Sequence, residues 1–209
     1  MMRATIAVLL ALVALLSLAG PARADAIANA SFETDAAWTA GIADPDGKYS
    51  AYYTTSWASE GLRSFVLHRG TGTVTAGAYA QISQTGVNLT GATKLIFDCQ
   101  DTGIDVVPLR FIVDDVNIVG TWQNNGWPGG QGSDWGHTAV TTGIEIPLGA
   151  AYPGLHKLTI QMWNPASHWP ADPKIYCIDN LRTDVVPEPS SLCALAMGLP
   201  ALLVRRRKR

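Results

Sequence analysis

Apolar and polar residues alternate with a period of two through short segments of this chain, and no other feature limits its fold as much. Leu95, Phe97 and Cys99 share one parity, as do Leu109, Phe111 and Val113, and again Leu158, Ile160 and Met162. In a pleated strand each such set lies on one face, whereas a helix would scatter it around its circumference. Eight strands are predicted on this basis, at 49–57, 62–69, 78–84, 94–100, 109–119, 143–148, 155–164 and 174–182. Gly, Pro, Asn and Asp punctuate them and helical periodicity is almost absent, so the chain is expected to be all-β, an antiparallel two-sheet sandwich.

The two ends read differently. Residues 1–26 have a positive start at Arg3, an apolar run over 6–18 and small-x-small sites at Ala22-Arg23-Ala24 and Ala24-Asp25-Ala26, the pattern of a secretory signal peptide. Export through the Sec translocon follows, with a retained N-terminal anchor as the alternative. At the other end, 186–209 joins Pro187-Glu188-Pro189 to an apolar run over 192–204 and a block of five cations from Arg205 to Arg209. That run extends about 20 Å as a helix, short of a hydrocarbon core of roughly 30 Å, with the cations held on the cytoplasmic side. Both ends are therefore predicted to be helical signal segments, with the intervening 27–185 as one domain.

This tripartite tail resembles the PEP-CTERM sorting signal, with Pro187, Glu188 and Pro189 at the family's motif. The resemblance implies processing by an exosortase membrane protease, transient anchoring, and a final place at the cell surface or in an exopolysaccharide matrix. It gives an address and no activity.

The exported domain is acidic. With Arg3, Arg23, the tail cations and Glu188 set aside, 8 of the 15 basic residues face 16 of the 17 acidic ones, a balance of about −8 against −2 for the whole chain. That sign argues against nucleic acid and against anionic lipid, and suits neutral sugars or divalent cations. Cys193 falls in the tail, which leaves Cys99 and Cys177. An oxidising compartment permits a disulfide between them, and two buried thiols are the alternative.

Asn29-Ala30-Ser31-Phe32-Glu33 with Trp38, and Tyr176-Cys177-Ile178-Asp179-Asn180-Leu181, resemble the opening and closing strands of galactose-binding-like jelly rolls among carbohydrate-binding modules, with Ala30 where a glycine is usual. The likeness implies a jelly roll, and it implies that Glu33 and Asp179 help to hold a structural calcium ion. Calcium takes six to eight oxygen ligands, and two carboxylates supplemented by carbonyls suit it. The alternative is that both carboxylates accept hydrogen bonds from turn backbone.

Between Gly120 and Gly136 lie six glycines and three tryptophans. A long loop of this composition is a candidate binding surface. Trp122, Trp127 and Trp135 offer planes for the C–H faces of sugars, and Asn124 and Asp134 offer bonds to hydroxyls. The same tryptophans would alternatively cap the open end of the sandwich. Trp163, His168 and Trp169 form a second aromatic stretch with the same ambiguity.

Catalytic signals are poor. No His-Glu-x-x-His, Gly-x-Ser-x-Gly or phosphate-binding glycine motif is present, and His68, His137, His156 and His168 lack metal-ligand spacing. Glu60 and Glu145 are available to a two-carboxylate glycosidase, but no spacing selects a pair. The sequence thus points to a non-enzyme that binds extracellular polysaccharide. A structural or adhesive surface domain without a glycan ligand, or a divergent polysaccharide-active enzyme, are the alternatives.

Overall fold

The computed structural model describes residues 27–103, 107–123, 138–167 and 173–185. Ten strands form among them: β1 (Thr39–Ala43), β2 (Tyr49–Thr54), β3 (Ser64–Arg69), β4 (Tyr79–Asn88), β5 (Lys94–Thr102), β6 (Leu109–Val113), β7 (Asn117–Trp122), β8 (Thr138–Pro147), β9 (Leu155–Trp163) and β10 (Lys174–Thr183). They make two five-stranded antiparallel sheets, the first in the order β1-β4-β9-β6-β7 and the second in the order β2-β3-β10-β5-β8. Asp25–Val185 is one compact unit that excludes both ends of the chain. The signal-peptide, Pro187-Glu188-Pro189 and basic-tail expectations lie outside the described residues.

The alternating sets fall where a sandwich requires them. Leu158, Ile160 and Met162 on β9 and Phe111 on β6 face Leu95, Phe97 and Cys99 on β5 and Ile178 on β10, all in one continuous core. Phe97 and Phe111 touch across the two sheets, with ring centroids 5.1 Å apart. Burying a side chain of this size stabilises by about 1.5–3 kcal/mol, and dozens of such residues outweigh the entropy of ordering the strands.

Two strands were not foreseen as such. The segment predicted as one strand over 109–119 is a hairpin, because Asp114 and Asp115 turn the chain at φ 54° and 62°. Asp is among the few residues that enter this left-handed region at modest cost. β1, with exposed Thr39, Ala40 and Ile42, carries too little alternation to be read, and β8 begins earlier than 143. The opening motif is a turn rather than a strand: Asn29 Nδ2 donates to the Thr34 and Ala36 carbonyls, and the Trp38 indole donates to the Asn29 carbonyl. It does meet the closing strand, since Leu181 N–H donates to the Ala30 carbonyl at 3.0 Å.

The disulfide expectation is corrected. Cys99 and Cys177 are both buried free thiols. They sit on neighbouring strands, but Cys99 lies opposite Ile178 and Cys177 opposite Gln100, one residue out of step. A one-residue offset sends the two side chains to opposite faces of the sheet, Cys99 into the core and Cys177 outward.

Candidate functional site

The outward face of the first sheet is where polar chemistry collects. β9 presents Thr159, Gln161 and Trp163 there, because Leu158, Ile160 and Met162 occupy its core side. Pairing carries three rows across the sheet. One runs Thr39, Ser83, Thr159, Ile112, Ile118, the next Gly41, Gln81, Gln161, Arg110, Thr121, and the last Ala43, Tyr79, Trp163.

Thr159 is 1% exposed and Gln161 8%, although both point away from the core. The surrounding side chains therefore stand higher than the central strand, and the face is a trough with a polar floor. Gln161 Nε2 donates to Gln81 Oε1 at 3.0 Å. Thr159 Oγ1 is buried without a hydrogen-bond partner. Such an atom costs roughly 1–3 kcal/mol when left unmatched. A side chain at Gly41 would press on the Gln81 amide, its Cβ 3.1 Å from Nε2, so the glycine keeps that rim low.

The Arg110 guanidinium lies over the Trp163 ring. Desolvation lowers its pKa, without threatening the charge of a group that titrates so high. Arg110 is the single formal charge in the three rows. Lys157, farther along β9, is neutralised by Asp115 at 2.8 Å.

Of the residues proposed from sequence to bind ligand, Trp122 is placed otherwise. Its ring meets Phe97 and Tyr176 edge-on, each with centroids 5.7 Å away, and packs against the core. Asn124, Trp127, Asp134 and Trp135 lie outside the described residues. Tyr79, Gln81, Arg110, Thr159 and Gln161 were missed. The parity that identified the core face of β9 also defined its complement, Thr159-Gln161-Trp163, an uncharged polar-aromatic set unusual for a solvated face.

Glu33 and Asp179 are brought to one place, but as grips on the 59–63 loop. Glu33 Oε1 accepts the N–H groups of Leu62 (2.8 Å) and Arg63 (3.0 Å). Asp179 Oδ2 accepts Ser59 N–H (2.6 Å), Ser59 Oγ–H (3.1 Å) and Glu60 N–H (2.8 Å), and its Oδ1 accepts Asn180 N–H (2.8 Å). A cation needs those lone pairs, so Asp179 does not fit as a calcium ligand. Among the described residues no group of three His, Cys, Asp or Glu is arranged to hold a metal. Opposite Asp179 stands Asp98, which accepts Gly143 N–H and Asn180 Nδ2–H and shares the one Ser59 hydroxyl proton with Asp179. Burial raises the Asp179 pKa. Burial also pushes on Asp98, but its hydrogen bonds together outweigh it and leave the carboxyl below its ordinary value.

No protein-family model matches the chain, and no curated protein matches it. Solved structures do. TmCBM61, determined in complex with β-1,4-galactotriose, has a TM-score of 0.42 at 15% identity, over 77% of this chain and 98% of that one. The family 11 carbohydrate-binding module of a cellulosomal cellulase of Clostridium thermocellum has 0.42 at 17%, over 78% and 94%. A cleaved adhesin domain of Lys-gingipain from Porphyromonas gingivalis has 0.45 at 12%, over 75% and 96%. The fold described above rests on the strands themselves: an all-β sandwich of two antiparallel five-stranded sheets.

Proposed function

We propose that residues 27–185 are a non-catalytic carbohydrate-binding domain of an exported protein, which takes a polysaccharide chain along the trough of the first sheet. The observation that carries this reading is the floor of that trough, where Gln161 points outward, bonded to Gln81, beside the Arg110–Trp163 pair. Side-chain amides and hydroxyls suit sugar hydroxyls, and Tyr79 and Trp163 add apolar planes at one end. Asn124, Trp127, Asp134 and Trp135 remain part of the proposal, because β7 ends and β8 begins at the end of the sandwich where Tyr79 and Trp163 stand.

Binding without turnover is favoured because the three rows contain no carboxylate, while glycoside hydrolysis ordinarily uses two. Delivery through the Sec translocon, exosortase processing near Pro187-Glu188-Pro189 and residence at the cell surface or in its matrix belong to the same proposal, on the strength of the sequence. Intrinsic tryptophan emission of the purified protein, titrated with extracellular polysaccharide fractions, tests the binding. A saturable shift that Gln161→Ala weakens at least about tenfold, a difference of ~1.4 kcal/mol, with little change in melting, is the expected outcome. A folded protein whose emission no fraction shifts counts against the reading and favours the structural or adhesive alternative.

A further inference from the structure

Four arginines lie in the described residues, and three of them are satisfied within the domain. Arg63 pairs with Asp35 at 2.5 Å, Arg182 donates to the Asn180 carbonyl, and Arg69 is fully buried with partners of its own. Arg110 is the exception. It is half-buried in the trough and held over Trp163 by its face, with no carboxylate or carbonyl among the described residues bound to its N–H groups. A guanidinium fixed through a ring contact keeps its forked N–H edge for a planar oxyanion, which it binds bidentately. The domain carries about twice as many acidic as basic residues, yet none of its carboxylates stands in the rows beside this cation. Beside it Gln161 and Gln81 are paired to each other through one N–H and one oxygen, which leaves further amide N–H groups facing the same side.

Resting on the glycan-binding reading, we infer that the trough selects an acidic polysaccharide, with Arg110 receiving the carboxylate of a uronate residue while Gln161 and Gln81 take neighbouring hydroxyls. The repulsion between such a polymer and an acidic domain acts at long range and is screened beyond about 8 Å at physiological salt, whereas the contact at Arg110 is not. Arg110 therefore sets which sugar is accepted, and the surrounding amides set how firmly its chain is held.

The test compares polygalacturonate with the same polymer after reduction of its carboxyl groups, each titrated into the full-length protein at about 0.15 M salt. Polygalacturonate is expected to bind at least about tenfold more tightly. Arg110→Gln should bring the ratio of the two affinities close to one, Arg110→Lys should restore only part of it, and Lys48→Gln, outside the trough, should leave it as in the wild type. Equal binding of the two polymers by the wild type overturns the inference and leaves glycan binding standing. Retention of sulfated dextran in preference to polygalacturonate overturns the choice of a carboxylate. If neither these polymers nor any extracellular fraction binds, this inference and the glycan reading fall together.

Discussion

A single position of register decides the chemistry of both cysteines. Burial drives the Cys99 thiol well above its ordinary pKa and pushes Cys177 up to about 11. A thiol needs its thiolate to react, so neither side chain is a nucleophile near neutral pH. An aromatic disulfide reagent added to the folded protein should therefore titrate no thiol at 99 or 177, and both should react after denaturation. Reducing agent should leave the melting temperature unchanged. Rapid labelling of the native protein at either position would contradict the burial. Trp122 teaches the same lesson: it ends β7 on the core side, so its ring completes the Phe97–Tyr176 cluster instead of facing solvent.

Elements are held in place by close approach and by carboxylates that grip loops. β7 meets β8 across the sandwich at Gly120, where an added Cβ would lie 2.5 Å from Ile146 Cγ2. Gly120→Ala should cost about 1–3 kcal/mol through overpacking, read as a lower denaturation midpoint with an unchanged slope. A midpoint equal to the wild type would mean that β7 has room to move. The 59–63 loop gives a pH signature. Asp98, held below its ordinary value, adds stability that is complete above an unfolded pKa of about 3.9 and is lost as pH falls through the folded value. Asp179 acts oppositely, since its raised pKa lets the folded protein take up that proton first as pH falls. Melting temperatures measured from about pH 5 down to about pH 2 should fall less steeply for Asp98→Asn than for the wild type; parallel curves would remove Asp98 from the acid transition.

On the scale of the whole molecule, hydrogen bonds join the chain's two terminal motifs. The opening turn reaches the closing strand through Ala30 and Leu181, and Glu33 and Asp179 hold the loop between β2 and β3. Excess chelator should thus leave the melting temperature where it was, while Glu33→Ala should lower stability by roughly 1–3 kcal/mol whether or not calcium is present. A chelator-dependent drop would restore the metal to Glu33.

The sequence by itself determined the class of fold. Period-two alternation can be satisfied only by strands with one face buried, and Leu158, Ile160 and Met162 already named the core side of β9. The resemblance of Asn29 through Glu33 and of Asp179 to jelly-roll opening and closing motifs also marked residues that join the two ends. Only the tertiary structure decided what those residues do. Whether Asp179 binds N–H groups or a cation depends on a loop 120 residues earlier in the chain, and whether Cys99 meets Cys177 depends on strand register. The trough was hidden for the same reason: Ser83, Thr159 and Ile112 become neighbours through pairings between β4, β9 and β6, contacts that no local window contains. Alternation along one strand is local physics, whereas a surface assembled from four or five strands exists only after the sheet has closed.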